Sequence, residues 1–128
     1  MSKANSPVKV LKVALRRVQK AWGTGEWKID TGKRDEGGKR IYAVCLQGAI
    51  FGYCSQPLTQ PQRDALRILE DVAKEDYGER SIPGLNDSML TQESAELLVK
   101  RAIIRAEGGG IIDPEEFYVN DEDIKGLI

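Results

Sequence analysis

Histidine is absent from these 128 residues, which removes the Ser-His-Asp and Cys-His nucleophilic mechanisms and the usual ligands of a catalytic zinc. Cysteine is scarce. Cys45 and Cys54 are the two present; their spacing matches no zinc pattern, and two thiolates do not close a site. No glycine cluster leads into Gly-Lys-Ser/Thr, so there is no phosphate-cradling P-loop. Asp121-x-Asp123 resembles the start of a calcium loop, but Lys125 stands at a ligand position. The sequence therefore predicts no catalytic constellation, no metal site and no cofactor.

Long apolar runs are missing too. The longest, Ile41–Cys54 (IYAVCLQGAIFGYC), is shorter than the roughly 20 residues that span a bilayer. Near the N-terminus Lys9, Lys12, Arg16, Arg17 and Lys20 interrupt every apolar stretch, which argues against a signal-peptide core. The expectation is a cytoplasmic protein with reduced thiols and no membrane partner, in which the sequon Asn86-Asp87-Ser88 has no use.

What is present fits one globular domain: 41% apolar and 30% charged residues, with a net charge of −1. The charge is unevenly spread. Residues 1–42 carry 11 Lys/Arg against 4 Asp/Glu, and residues 43–128 carry 8 against 16. Such a split makes either a basic binding face or two halves that attract each other on folding, and the second is the simpler reading.

Three helices can be placed from their ends. Ser6 caps a helix with Pro7 at its first position, and Val8, Leu11, Ala14, Leu15, Val18 and Trp22 follow a helical rhythm up to Gly23 as the C-cap. Thr59 and Gln62 have capping-box spacing, opening a helix that buries Ala65, Leu66, Leu69, Val72 and Ala73 and stops before Gly78. Thr91 caps a third, with Ala95, Leu98, Val99, Ala102, Ile103 and Ala106 on one face, ended by Gly108-Gly109-Gly110. Trp27–Asp30 suits a short strand, and TGKRDEGGKR after it reads as a charged loop.

Ile41–Cys54 is ambiguous in period. Cys45, Gly48, Ala49 and Gly52 make a small-residue helix face, whereas Tyr42, Val44 and Phe51 suit a hairpin turning near Gln47-Gly48; a helix is preferred, as the most buried element. The fold class expected is mainly α: a compact four-helix domain over residues 7–110, with a short two-stranded β element near 27–42. Residues 1–6 form a flexible N-terminus. Residues 111–128 form a tail whose Phe117, Val119, Ile124, Leu127 and Ile128 favour packing back on the domain.

The polar candidates each have a structural alternative. Cys45 at a helix start has a favoured thiolate, yet an apolar neighbourhood makes it a packing residue. Asn86 and Asp87 could hold a ligand, but satisfying backbone amides is the commoner use. Trp22 and Trp27 flank a Gly-rich turn and suit core anchoring better than a patch. Lys9, Lys12, Arg16 and Lys20 share one helix face that could track phosphates, without the interleaved aromatics or amides that read bases.

Taken in order, Trp-x-x-Gly (Trp22–Gly25), Cys-Leu-x-Gly-Ala (Cys45–Ala49), Asn-Asp (Asn86-Asp87) and a Thr-capped helix with Ala102 and Ala106 resemble a family of small proteins. That family occurs in actinobacteria and their phages and is classed as a domain of unknown function. The likeness covers roughly residues 8–107; the basic loop at 31–40 is longer than its pattern, and the tail lies outside it. It implies that Cys45, Gly48, Ala49, Asn86 and Asp87 are fold determinants and that the protein is phage-encoded, and it supplies no activity. The expected function is that of a non-enzymatic accessory protein in the host cytoplasm that binds a host protein. Its candidate contacts are Lys9, Lys12, Arg16, Lys20, Trp22, Trp27, Asn86, Asp87, Phe117 and Tyr118. Nucleic-acid binding through the basic helix is the first alternative and a small enzyme using Asn86, Asp87 or Cys45 the second; a homodimer is compatible with any of them.

Overall fold

Ser6 opens the first helix as its spacing predicts: its hydroxyl accepts from the Lys9 amide at 3.3 Å, and Pro7 follows. In the computed structural model, which describes residues 6–23, 29–51, 58–78, 82, 85–86 and 91–108, α1 spans Pro7–Lys20. A hairpin follows, β1 (Ile29–Arg34) and β2 (Arg40–Ala43), then a short helix α2 (Leu46–Phe51), α3 (Gln60–Tyr77) and α4 (Gln92–Ala106). The protein is mainly helical with a small antiparallel sheet.

Helix α1 is the central post. It packs against α2, α3 and α4 through Val10, Leu11, Val13, Ala14, Leu15 and Val18, all buried. Leu46 and Ile50 of α2, Leu69 of α3 and Leu98 and Ile103 of α4 complete the core, with Ile82 and Leu85. Helices α1 and α4 run antiparallel. Gln92 at the start of α4 donates to the Val18 carbonyl near the end of α1 (2.9 Å), and Glu107 after α4 meets Lys12 at 3.1 Å.

The end of α1 departs from expectation. The helix stops at Lys20, and Gly23 is not its C-cap; Ala21 takes that position in extended backbone. Trp22 is outside the helix, in a parallel bridge to Val44, where Val44 N–H donates to Ala21 O and Gly23 N–H to Val44 O, both 3.1 Å. Gln92 replaces the glycine cap by serving an α1 carbonyl from outside.

The two-stranded element expected near residues 27–42 is present, and part of the stretch read as a charged loop belongs to it: β1 runs on to Arg34 and β2 starts at Arg40. Ile29 pairs with Ala43 and Asp30 with Tyr42, but Arg34 pairs with Arg40, so the register shifts between them. A bulge absorbs the shift: Gly32 sits at φ 76°, its N–H donates to Asp30 Oδ1 at 2.9 Å, and Thr31 Oγ1–H donates to Ile41 O at 2.7 Å. At the tip Asp35 Oδ1 accepts from Gly37 and Lys39 amides (2.9 and 3.0 Å). Gly38 there, at φ 81°, supplies the left-handed residue that a three-residue hairpin loop needs.

The run Ile41–Cys54 is neither one helix nor a hairpin. Its first residues belong to β2, Val44 makes the bridge to Trp22, and α2 begins only at Leu46. Pairing with β1 takes the β-branched and aromatic part; the small-residue part winds. Residues 43–46 and 48–50 are all buried, so the expected burial is found. The later helices follow the sequence closely. Thr59 and Gln62 form the full capping box, Gly78 ends α3 at φ 74°, and Thr91 accepts from the Ser94 amide.

Charge does not simply pair the two halves of the chain. Lys12–Glu107 joins them. Arg40–Asp30 lies within the first half, and Arg101–Asp76 and Arg105–Glu75 lie within the second.

Candidate functional site

Asn86 is the deepest polar side chain described, with no exposed surface. Leu85 and Asn86 lie in helical backbone, which turns the amide into the seam between α1's exit and α2's start. Its Oδ1 accepts from Trp22 Nε1–H at 2.9 Å and from the Leu46 amide at 3.0 Å, and its Nδ2 donates to Gly23 O at 3.1 Å. One side chain therefore caps the first amide of α2 and fixes the Trp22–Gly23 segment. The Leu46 amide, buried, would otherwise lie without this partner, while the Trp22 and Gly23 bonds are part-buried.

Cys45 supports the same helix start. Its Sγ accepts from the Gly48 amide at 3.3 Å and its carbonyl from Ala49 at 2.9 Å, and the thiol is buried and not in a disulfide. The other end of α2 is held by two side chains that sequence reasoning missed. Arg17 donates to Ala49 O at 2.7 Å, and Gln62 Nε2 donates to Ile50 O at 3.2 Å. Gln62 thus serves two helices, because its Oε1 accepts from the Thr59 amide (2.8 Å) in α3's capping box. Arg17 had no signal beyond its place among basic residues.

At this junction Cys45, Leu46 and Asn86 are buried and Trp22 is partly buried. A shallow depression of about 310 Å³ lies elsewhere, on the outer side of α4, lined by Glu93, Glu96, Leu97 and Lys100. Among the described residues no three His, Cys, Asp or Glu side chains converge to hold a metal ion.

Of the basic candidates, Lys9 and Lys20 are exposed, and Arg16 is half-buried with a 3.0 Å bond to Gln19. Lys12 is more enclosed, its side chain 15% exposed beside Glu107. Positions 9, 16 and 20 fall on one line of the helix, since 3.6 residues make a turn. Trp22 is only partly buried, but its ring packs against the core and its N–H is engaged by Asn86. Trp27, Asp87, Phe117 and Tyr118 lie outside the described residues, as do residues 1–5, Gly52, Cys54 and the tail from 109.

Comparison with models of known families, with curated proteins and with solved structures finds no match. No helix among the described residues is long and apolar enough to cross a membrane.

Two carboxylates are tuned by the hydrogen bonds around them, away from this junction. The Gly32 amide, then Arg40, hold Asp30 below the usual aspartate range. Arg105 does the same for Glu75, and its own ionisation is raised in return. Both carboxylates belong to surface pairs and suggest no acid-base chemistry.

Proposed function

We propose that this chain is a non-enzymatic accessory protein that acts by binding a host protein, with the cationic line Lys9–Arg16–Lys20 of α1 as its principal described contact. The observation that carries this reading is the engagement of Asn86 by Trp22, Leu46 and Gly23. The buried Asn86 amide is committed to backbone and indole, and the Cys45 sulfur accepts from a backbone amide. Among the described residues, what remains on offer is charge. Tyr77 is the exposed large hydrophobic side chain among the described residues, so an interface here is led by electrostatics, with fast association and strong salt dependence. The likeness of the Trp22–Gly25, Cys45–Ala49 and Asn86-Asp87 motifs to small proteins of actinobacteria and their phages supports a phage origin and the host cytoplasm as the place of action.

Nucleic acid is the second partner that a basic helix face can serve. The engagement of Trp22 weighs against it, because an indole packed on the core is not free to stack on bases. A tagged pull-down from actinobacterial lysate, with and without nuclease, separates the two. A stoichiometric protein that survives nuclease and is lost with Lys9→Glu/Lys20→Glu supports the proposal; material lost on nuclease treatment supports the alternative.

A further inference from the structure

The β1–β2 hairpin is an arm held at its base. Ile29 pairs with Ala43 there, and both lie against Gly23. Ala43 is buried, whereas every residue from Gly32 to Arg40 except the half-buried Asp35 is exposed. By strand alternation the pairs Asp30–Tyr42 and Arg34–Arg40 share one face. Two guanidinium side chains therefore stand directly across the ladder from each other, an arrangement that costs stability in a free hairpin. Arg34 Nη1 donates to Gly38 O at 2.8 Å and Arg40 pairs with Asp30, which leaves further donors of both forks for a ligand. Lys33 and Lys39 flank them, and neither ammonium has an ionic partner among the described residues. Four cations meet three carboxylates in this arm, but the carboxylates are placed differently. Asp30 is taken by Arg40, Asp35 Oδ1 accepts from the Gly37 and Lys39 amides at 2.9 and 3.0 Å, and Glu36 stands at the tip.

We propose that this arm binds double-stranded DNA without sequence preference, its tip entering the major groove and Lys33, Arg34, Lys39 and Arg40 meeting phosphates. Size and charge both fit. Two strands about 5 Å apart pass into a groove about 12 Å wide. From Ala43 to Lys39 the arm extends about 13 Å at about 3.3 Å per residue, beyond the groove's depth of about 8.5 Å. A phosphate between Arg34 and Arg40 turns their mutual repulsion into shared binding. Between Ile29 and Ala43 there is no Asn or Gln to read a base edge, and the Thr31 hydroxyl is spent on Ile41 O. The contacts are therefore to the backbone, which positions without specifying. The arm is a different element from α1, so this inference goes beyond the proposed function and does not depend on it.

The test titrates the full chain into a fluorescent duplex of mixed sequence and reads anisotropy. In about 0.05 M salt the Kd is expected below about 0.1 mM, with log K falling against log salt at a slope of about −2 to −4. Lys33→Glu/Lys39→Glu keeps the hydrogen bonds of the hairpin, because both lysines use only backbone atoms there. It should weaken binding at least about tenfold and reduce the slope by about 2. Lys9→Glu/Lys20→Glu on α1 should change the Kd by less than about threefold. Absence of duplex binding overturns the proposal, and so does a larger loss from the α1 variant than from the hairpin variant. Tighter binding to single-stranded DNA, or displacement of the duplex by polyglutamate at equal charge, rejects the groove in favour of a strand or an acidic protein. If the hairpin variant does not fold, amide NMR of the unmodified chain decides. Added duplex should shift the amides of Lys33–Arg40 first, and shifts centred on α1 reject the arm.

Discussion

Helices α2 and α3 are held at their ends by opposite means. Helix α3 closes itself: Thr59 and Gln62 cap its start, three residues apart, and Gly78 ends it in left-handed backbone. Helix α2 has six residues, too few to persist alone, and its ends are met mostly from afar. Asn86 serves its first amide from 40 residues away, and Arg17 serves the Ala49 carbonyl from 32. The difference teaches that α2 is a product of tertiary structure, whereas α3 has a large local share. It also explains why a buried asparagine next to a cysteine, which on paper suggests chemistry, is here a fastening.

The contrast can be broken most severely at Asn86. Asn86→Ala leaves the buried Leu46 amide and the part-buried Trp22 indole N–H and Gly23 carbonyl without this partner, and at about 1–3 kcal/mol for a buried group and less for the other two the loss should be on the order of 3 kcal/mol in urea unfolding. A loss under about 1 kcal/mol would show that water or neighbours replace the amide at no cost. Arg17→Met keeps the aliphatic stem and removes the charged donor to Ala49 O, with an expected cost of about 2 kcal/mol. Thr59→Ala removes a local cap from α3 and should cost about 1 kcal/mol. The order Asn86, Arg17, Thr59 is the prediction, more than any single value.

The smallest effect sharpens the comparison from outside the core. Asp30 is exposed on the hairpin, with its ionisation lowered by the Gly32 amide and by Arg40. A carboxylate depressed in the folded state contributes stability above its unfolded value and loses it as pH falls through the folded one. NMR titration should therefore find Asp30 ionised below the ordinary aspartate range, and Arg40→Ala should move its midpoint upward with little change in unfolding. An unchanged midpoint would assign the shift to Gly32 alone.

Legibility in the sequence follows the same divide. Ser6, Thr59, Gln62, Gly78 and Thr91 act within three or four residues, so spacing alone reveals them, along with the three long helices and their buried faces. Gly23 and Trp22 were misplaced because Val44 and Asn86, far along the chain, take their backbone and indole partners. The two-stranded element expected near residues 27–42 is present, but the sequence places residues 31–34 in a loop, since the bulge at Thr31-Gly32-Lys33 breaks the alternation that marks a strand. Ile41–Cys54 failed as one element because pairing with β1 and capping by Asn86 divide it at Cys45. For the candidate site, the sequence isolated Asn86 and favoured a backbone-satisfying role. It had no means of finding that the backbone concerned belongs to another helix.

The most direct measurement is hydrogen exchange at the Leu46 amide. First-turn amides lack intrahelical partners and ordinarily exchange quickly. Bonded to a fully buried Asn86, Leu46 N–H should instead exchange at least about a hundredfold more slowly than the amide of Gln92, the exposed first residue of α4, and near the rate of the α1 core. Exchange of Leu46 as fast as Gln92 would mean that Asn86 does not hold α2, and its amide would again be open to a role in binding.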